Sequence, residues 1–433
     1  MKNVLFSMSK TPIFLVLTVG LLAASLFGAC SKPSGTKGGG LSITILMGKP
    51  EVAGSFEKML ADYGKKTGVN ITMIPLAGQD AYEKMTTLYA SGNAPTILMV
   101  GQEFGEFKDK FLDLTDTSFG KKANEGTLDF VTVNGRAFGV PVTVEAFGII
   151  YNPAAVRKAL GDFDPSQLKT QNELKQFFES LKSKGAGAFT LSPMDWSLGA
   201  HLSNTVYAAQ SDNREARHQF VKDLRSGAAR LADNPVFNGW VDTLDILMAY
   251  NIHSASPMSP VYEDGMVELA DGTAAAWFMG NWAYPQLADI AGEDYRFIPV
   301  PVSNNPADFG NGRIAVGVPS YWCVDKSANS DEQQKAALDF LSWFIETPEG
   351  QDYYVNQLNL IPAYQGFTIE PADAMSKQMM EFLSAENTLE WMNTYYPAGG
   401  FQAMGAFMQR YIDKKIDRRS LAEAFENYWK SAR

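Results

Sequence analysis

The chain has 433 residues, 45% of them hydrophobic and 12% aromatic, so it is long enough for two domains and apolar enough to build large cores. Its formal net charge is −11 and no basic stripe is present, which argues against a nucleic-acid-binding protein because phosphate contacts need clustered Lys and Arg. Two cysteines, Cys30 and Cys323, are too few for a disulfide scaffold.

The first thirty residues have the layout of a secretory signal. Lys2 and Lys10 give the first ten residues a positive charge with no acidic residue, and residues 13–29 are apolar or small throughout. This stretch is marginal for a membrane-spanning helix, which needs about 20 apolar residues. It does match a signal peptide that ends in small residues. We therefore expect residues 1–29 to be a signal peptide.

Cys30 follows the small pair Gly28-Ala29 directly, so its thiol can be lipidated and become the first residue of the mature chain. The pattern resembles the bacterial lipobox, although Phe27 replaces its usual aliphatic residue. Residues 30–40 contain KPSGTKGGG, which predicts a flexible tether. We expect an extracytoplasmic body anchored to the cell membrane through Cys30, in a periplasm or on the outer face. The alternative is an ordinary signal peptide with an incidental cysteine. With Cys30 lipidated, Cys323 has no partner and should be a buried thiol.

From residue 41 onward the pattern alternates between strands and helices. Residues 41–47 (LSITILM) are typical of a buried strand. The same reasoning predicts a helix at 52–67, a strand at 69–74, a helix at 80–91 and a strand at 96–100. This alternation indicates crossover connections and a largely parallel sheet.

Turn and cap signals predict the elements in the middle of the chain. Asn-Gly favours tight hairpin turns, Asn-Pro favours helix starts, and Thr-x-x-Glu forms capping boxes. The predicted elements are a hairpin turn at Asn134-Gly135 between strands at 130–133 and 136–140, a strand at 147–151, a helix from Asn152-Pro153, a helix from the capping box at 170–173 to about 184, and three helices between 197 and 250, the last from Asn234-Pro235.

The C-terminal part of the chain is predicted to be mainly helical. Ser330 is predicted to cap a helix, because the apolar residues after it recur at helical spacing. The predicted elements are a strand at 273–278, a helix at 284–290, an extended segment at 314–324, a helix after Ser330, a helix from Thr347-Pro348 and only helices from 371 onward.

Motifs for catalysis or metal binding do not stand out. His201, His218 and His253 do not form a zinc-binding pair, and a lone cysteine offers no metal-ligand spacing. The sequence has no P-loop and no GxSxG elbow. We therefore expect a protein that is not an enzyme and needs no cofactor or metal.

Five segments carry a resemblance to a known family. In chain order they are DAYEKMTTLYASGNAP (80–95), FGVPVTVEAFGIIYNP (138–153), DGTAAAWFMGNW (271–282), ETPEG (346–350) and IPA (361–363). Together they resemble the extracellular solute-binding proteins of bacterial ABC importers, family 1, and most closely the sugar-binding branch that includes maltose-binding protein. Thr96 departs from that pattern, since the family usually has Asp there.

The resemblance implies an α/β fold of the two-lobed periplasmic-binding-protein type II. Each lobe would be a mixed, mainly parallel sheet flanked by helices, and hinge strands would join the lobes. The expected first lobe is 41–143 with 316–365, and the expected second lobe is 144–315 with 366–433. The implied function is to capture a carbohydrate, expected to be an oligosaccharide, and to deliver it to the transmembrane subunits of an ABC permease. We expect a monomer.

Trp282 and Glu145 are the leading candidates for ligand contact. Trp282 stands where the family places a stacking tryptophan, and its alternative role is core packing. Glu145 lies in an otherwise apolar run, where a charge is unfavourable unless it has a partner. The resemblance implies that Glu145 contacts sugar hydroxyls. A carboxylate that orients the hinge is the alternative.

Further candidates follow predicted strands or come from the resemblance. Ligands of open α/β sheets bind at the carboxyl ends of strands, which points to Gln102 and Glu103 after the third strand and to Lys49 and Glu51 after the first. The start of a surface helix is the alternative role for Gln102 and Glu103. The resemblance adds Asp80, Met194, Asp195, Trp196, Gly400 and Phe401. Trp196 could equally be a core residue.

Two other functions remain open at this point. A secreted polysaccharide hydrolase or lyase would use Glu145 with Glu103 or Asp195 as its carboxylates. The same fold could instead carry ferric ion, a polyamine or a peptide. Adjacent tyrosines serve as iron ligands in some relatives of this fold, and the chain has such pairs at 353–354 and 395–396.

Overall fold

The computed structural model describes residues 40–397 and 399–431. The predicted signal peptide, the lipidation of Cys30 and all but the last residue of the predicted tether lie outside the described residues. Among the described residues, no helix combines the length and the apolar composition that a membrane crossing requires.

The strands of the described residues are short, and most belong to two sheets. In chain order they are β1 (Ser42–Met47), β2 (Asn70–Pro75), β3 (Ile97–Val100), β4 (Thr132–Val133), β5 (Arg136–Ala137), β6 (Val140–Pro141), β7 (Glu145–Tyr151), β8 (Phe189–Thr190), β9 (Ala276–Gly280), β10 (Arg296–Ile298), β11 (Ile314–Gly317), β12 (Tyr321–Val324) and β13 (Thr388–Leu389).

Helices surround both sheets. In chain order they are α1 (Ala53–Thr67), α2 (Ala81–Ala90), α3 (Phe104–Phe107), α4 (Pro153–Leu160), α5 (Gln171–Ser183), α6 (Asn204–Ala208), α7 (Arg214–Ser226), α8 (Pro235–Tyr250), α9 (Tyr262–Ala270), α10 (Tyr284–Ile290), α11 (Asp331–Glu346), α12 (Pro348–Asp352), α13 (Ala374–Ser384), α14 (Gly400–Ile412) and α15 (Arg418–Ser431). Wider π-helical turns occur at Ser197–Leu202 and Tyr353–Gln357.

The first sheet has the strand order β2-β1-β3-β12-β6, and we call the part of the chain built on it the first lobe. β1 pairs in parallel with β2 and β3, as the alternation of strands and helices predicts. β12 is antiparallel to both β3 and β6. Alternate residues of β1 enter apolar clusters on opposite faces, Ile45 on one and Leu46 on the other. Cys323 of β12 is buried, as predicted.

The second sheet has the order β13-β11-β7-β9-β8, with β10 also paired to β7, and it defines the second lobe. β7 is fully buried and antiparallel to each of its three neighbours, β9, β10 and β11. Parallel pairing therefore does not dominate in this sheet, contrary to the expectation of a mainly parallel one, since only the pairs β8–β9 and β11–β13 are parallel. Phe147 and Ile149 of β7 face the larger apolar cluster, and Ala146 and Ile150 face the smaller one.

The predicted hairpin turn and helix caps are present, and each depends on only a few neighbouring residues. Asn134 and Gly135 have φ of 51° and 76°, the left-handed values that a tight hairpin turn between β4 and β5 requires. The capping box of α5 is present, with the Thr170 side chain accepting from the backbone of Glu173. Asn152 caps α4 through a hydrogen bond from Ala155.

The prediction of only helices after residue 371 is wrong. Thr388 and Leu389 form β13, which pairs in parallel with β11. Two other short strands, β8 and β10, were also not predicted. All three contain only two or three residues and are defined by pairing partners far away in sequence, so no local periodicity could indicate them.

Candidate functional site

Two strand connections carry the chain between the lobes at the same place. β6 leads into β7, and β11 leads into β12. Tyr321 lies opposite Pro141 on the side of the first lobe, and Gly317 lies opposite Glu145 on the side of the second. Glu145 is therefore the first residue of β7 after the chain crosses between the lobes.

Glu145 forms a buried ionic cluster with two residues that follow β1. The Nζ atom of Lys49 lies 2.5 Å from Oε1 of Glu145 and 2.6 Å from Oε1 of Glu51. The side chains of Lys49, Glu145 and Glu51 are 8%, 8% and 12% exposed, respectively. Because Lys49 and Glu51 belong to the first lobe and Glu145 opens β7 of the second, the cluster joins the two lobes.

Burial and charge act differently on the members of this cluster. Burial lowers the pKa of the Lys49 ammonium, but the charges and hydrogen bonds of Glu145 and Glu51 outweigh burial and raise the pKa overall. Burial raises the pKa of the Glu145 carboxyl, and the positive charge of Lys49 offsets only part of that rise. Two carboxylates share one ammonium, so the cluster keeps carboxylate oxygens that can accept hydrogen bonds from a ligand.

A very small cavity of about 10 Å³ adjoins the cluster. Its lining comes from both lobes and consists of Lys49, Glu51, Val52, Thr143, Glu145, Asn281, Trp282, Pro285, Leu358, Asn359 and Leu360. Pockets for small ligands usually have about 300–1,000 Å³. An oligosaccharide would therefore enter this site only after the lobes separate.

Polar groups next to the cavity are fixed by hydrogen bonds to the backbone. Oδ1 of Asn281 accepts from the backbone N–H of Ala146 at 2.9 Å. The hydroxyl of Thr143 accepts from the backbone N–H of Ile361 at 2.9 Å and donates to the carbonyl of Val144 at 3.1 Å. These contacts hold the two hinge segments at residues 143–146 and 361 in fixed positions.

Aromatic side chains of the second lobe form a continuous cluster beside the cavity. The ring centroid of Trp282 lies 4.8 Å from that of His201 and 6.3 Å from that of Trp196, and Tyr262 lies 6.4 Å beyond Trp196. Trp282 packs against Gly280, where a Cβ would lie only 2.0 Å from the indole ring. Trp282 is partly exposed, so an apolar wall borders the ionic cluster.

Of the two candidates that follow β3, Gln102 reaches across the seam between the lobes. Nε2 of Gln102 donates to the backbone carbonyl of Asn393 in the second lobe at 3.2 Å. Glu103 accepts from the backbone N–H of Gly101 at 3.0 Å. Burial raises the pKa of Glu103 despite that hydrogen bond, and the charge of Asp80 adds to the rise. Asp80 itself is exposed and caps α2, so its visible role is structural.

The remaining candidates are held by packing inside the second lobe. Oδ1 of Asp195 accepts from the backbone N–H of Trp196 at 2.7 Å, and Met194 packs with the smaller apolar cluster. Gly400 begins α14, and the ring of Phe401 contacts Tyr396 with 6.1 Å between centroids. Neither Gly400 nor Phe401 lines the cavity.

The structure therefore divides the predicted site residues into two groups. Lys49, Glu51, Glu145 and Trp282 line one cavity, with Trp196 next to Trp282. Asp80, Gln102, Glu103, Met194, Asp195, Gly400 and Phe401 do not line it. Sequence reasoning missed Thr143, Asn281, Asn359, Tyr262 and His201. Only Asn281 had a usable signal, since it directly precedes Trp282 in the GNW segment.

The tyrosine pairs do not converge on one site. The hydroxyl of Tyr353 donates to Asp62 and that of Tyr354 to the backbone of Val142, whereas Tyr395 is bonded to Arg214 and Tyr396 to Ser203. The four tyrosine hydroxyls therefore have four different partners. Within the described residues, no group of three or more His, Cys, Asp or Glu side chains could hold a metal ion.

The sequence matches a known protein family and is similar to several known proteins. Residues 58–397 match the family described as bacterial extracellular solute-binding protein. A multiple sugar-binding protein of Streptococcus mutans is 23% identical over 351 residues, which cover 77% of this chain and 78% of the relative. A maltooligosaccharide ABC transporter solute-binding lipoprotein of Streptococcus pneumoniae strain R6 is 23% identical over 322 residues, which cover 71% of this chain and 69% of the relative.

Solved structures share the architecture. The SBP RafE in complex with raffinose matches with a TM-score of 0.75 at 18% sequence identity, covering 90% of this chain and 99% of that chain. A chitin oligosaccharide binding protein matches with a TM-score of 0.73 at 19% identity, covering 91% and 99%. At this level of identity the match establishes the fold, and it confirms the predicted two-lobed α/β class.

Proposed function

The chain belongs to the bacterial extracellular solute-binding proteins, and from this membership we propose that it captures a carbohydrate between its two lobes and delivers it to the permease of an ABC importer. An oligosaccharide is the proposed ligand class. The two relatives and the two structures described above carry sugar or oligosaccharide names or ligands, which supports this choice.

The observation that carries the proposal is the pairing of an ionic cluster with an aromatic wall at the hinge. A sugar presents apolar C–H faces and a rim of hydroxyl groups. Trp282 offers a partly exposed indole face, and Glu145 and Glu51 offer charged acceptors for hydroxyl donors. Hydrogen bonds to charged acceptors are about twice as strong as neutral ones, so two carboxylates are well suited to an uncharged polyol.

Hinge bending would couple binding to the arrangement of the lobes. Lys49 and Glu51 come from one lobe and Trp282 from the other, so a ligand touches all three only when the lobes close around it. Moving such an equilibrium from 1:99 to 99:1 requires about 5.5 kcal/mol of differential affinity. One stacked ring and several charge-assisted hydrogen bonds are of that order.

The proposal extends to location and assembly. Lipidation of Cys30 would tether a monomeric body to the extracytoplasmic face of the membrane, within reach of the permease. The word lipoprotein in the name of the pneumococcal relative supports this part. Replacing Cys30 with Ser should release the protein from the membrane fraction, and labelling with a radioactive fatty acid should be lost with it.

A thermal-shift screen of the mature protein against mono- and oligosaccharides tests the proposed function. We expect at least one oligosaccharide to raise the melting temperature, since a ligand that binds only the folded state stabilises it. Mass spectrometry of the recovered ligand then separates capture from catalysis. An intact oligosaccharide supports transport, whereas shorter products would assign Glu145, with Glu103 or Asp195, to a hydrolase or lyase. Stabilisation by ferric ion, a polyamine or a peptide alone would contradict the proposal.

A further inference from the structure

Buried polar atoms without a hydrogen-bond partner are rare in folded proteins, because each one left unpaired destabilises the fold. In the described residues, such atoms include Nε1 of Trp391, Nδ1 of His201 and Nδ2 of Asn359. Asn359 lines the cavity next to the ionic cluster. The other two side chains belong to the second lobe, do not line that cavity and need a separate explanation.

Trp391 is packed onto the hinge itself. A Cβ on Gly317 would lie 2.4 Å from Cγ of the Trp391 indole, so the ring covers the residue directly across the strand pair from Glu145. Trp391 also contacts Phe147 with 5.1 Å between ring centroids. Only 7% of Trp391 is exposed, and its indole N–H has no acceptor among the described residues.

His201 links Trp391 to the aromatic wall. Its ring centroid lies 5.9 Å from that of Trp391, 4.7 Å from that of Phe147 and 4.8 Å from that of Trp282. Burial lowers the pKa of His201 to about 3, so the imidazole is neutral at physiological pH. A neutral imidazole can donate at one nitrogen and accept at the other, as a sugar hydroxyl can.

These groups lie beside the cavity along one face of β7. Residues two apart on a strand point to the same face, so Phe147 lies on the face of Glu145, about 7 Å along the strand. The first lobe covers this region in the structure, because Gln102 donates to the carbonyl of Asn393, two residues after Trp391. Separation of the lobes would therefore uncover the surroundings of Trp391.

We propose that Trp391 and His201 form a second polar subsite of the cleft, in which the indole N–H and the imidazole bind hydroxyl groups of the captured saccharide. This proposal rests on the proposed function and adds a second group of ligand contacts to it. The subsite extends the ligand from the ionic cluster at Glu145 toward the aromatic wall of the second lobe. It accounts for two unpartnered polar atoms that otherwise only destabilise the fold.

The chain provides a matched control for this subsite. Trp322 is 1% exposed, its Nε1 also lacks a partner, and it stacks on Phe56 inside the first lobe. Trp391→Phe and Trp322→Phe therefore delete the same unpartnered N–H from two buried indoles, and only the first lies at the seam. Binding of the saccharide that gives the largest thermal shift is measured by isothermal titration calorimetry for both variants and the wild type.

We expect Trp391→Phe to weaken binding about five- to tenfold, the loss of one good hydrogen bond, while Trp322→Phe binds like the wild type. Equal affinity of Trp391→Phe and the wild type would overturn the subsite and leave the proposed function intact. Equal losses in both variants would also overturn it, since a general loosening of the fold would then explain them. A wild type that binds no saccharide would remove the proposed function and this inference together.

The affinity of Trp391→Phe is interpreted only if this variant keeps the wild-type circular dichroism spectrum, which shows that it folds normally. If it does not, His201→Phe becomes the deciding variant, because it keeps a ring of similar size in the aromatic cluster and removes both nitrogens. The same five- to tenfold loss of affinity is expected for it, and wild-type affinity would overturn the subsite.

Discussion

The ammonium of Lys49 lies between two carboxylates and is only 2.5 Å from Oε1 of Glu145, which makes this ion pair a direct link between the two lobes. The link forms where β7 enters the second sheet, opposite Gly317 of β11. Glu51 holds the other side of the ammonium at 2.6 Å. A ligand that bends the hinge must therefore act on this cluster.

Lys49→Met should destabilise the protein strongly at neutral pH. Removing the ammonium leaves the carboxylates of Glu145 and Glu51 buried without their counter-charge, and breaking a buried ion pair from one side costs about 3–5 kcal/mol. Urea unfolding of the mature protein measures the change. Lys58→Met is the control, since Lys58 pairs with Asp62 on the surface and its loss should not be measurable.

The loss of unfolding free energy caused by Lys49→Met should become smaller as the pH falls. The pKa of Glu145 is already raised in the folded protein, and loss of the positive neighbour raises it further. A carboxyl with a raised folded pKa favours the folded state at low pH and loses that contribution as the pH rises through the folded pKa. Unfolding free energies at about pH 5 and about pH 7.5 test this sign. A loss of unfolding free energy that is equal or larger at the lower pH would contradict the raised pKa of Glu145 as its cause.

Trp282→Ala should weaken binding of the best saccharide by more than tenfold, which corresponds to about 1.4 kcal/mol, because the sugar loses its apolar plate. Isothermal titration calorimetry gives the affinity. Trp343→Ala serves as the control, since Trp343 is also partly buried but lies on α11 of the first lobe. Unchanged affinity for Trp282→Ala would remove this side chain from the site.

Gly317→Ala should perturb the hinge. The new Cβ would lie 2.4 Å from the Trp391 indole, so the ring or the strand has to shift, at a cost of about 1–3 kcal/mol in unfolding free energy. Gly54→Ala provides the contrast, because Gly54 lies in α1 with no atom within 4 Å of its added Cβ. That substitution should be neutral or stabilising. Thermal unfolding of both variants measures the difference. Equal melting temperatures of Gly317→Ala and Gly54→Ala would contradict the close packing at Gly317.

Asp129→Asn should favour separation of the lobes by a small amount. Arg214 of α7 reaches across to Asp129 of the first lobe, with 3.1 Å between Nη1 and Oδ2. Both side chains are about half exposed, so the expected loss of ligand affinity is less than about fivefold and should disappear at high salt. Asp116→Asn is the control, since Asp116 pairs with Arg136 within the first lobe. A loss that persists at high salt would point to another role for Asp129.

The sequence predicted elements whose cause is local. The Asn134-Gly135 turn, the capping box at Thr170 and the cap at Asn152 each depend on a few neighbouring residues, and all three are present. The strands β8, β10 and β13 were missed because pairing with distant strands defines them. Resemblance to a family supplied the two-lobed arrangement, which periodicity alone could not indicate.

The candidate site could be predicted only in part, for the same reason. Glu145 was noticeable as a charge within an apolar run, but its partner Lys49 lies 96 residues earlier and no pattern in the sequence joins them. His201 and Trp391 come together from separate segments of the second lobe, and a lone histidine gives no signal of such a contact. Residue types indicated which side chains could bind a ligand, and the sheet topology determines which of them meet.

Small-angle X-ray scattering of the mature protein, with and without its best saccharide, tests the central claim most directly. The account predicts that a saturating oligosaccharide reduces the radius of gyration as the lobes close, and that the ligand is recovered unchanged. Scattering profiles that stay identical with every saccharide, while ferric ion or a polyamine compacts the molecule, would contradict it.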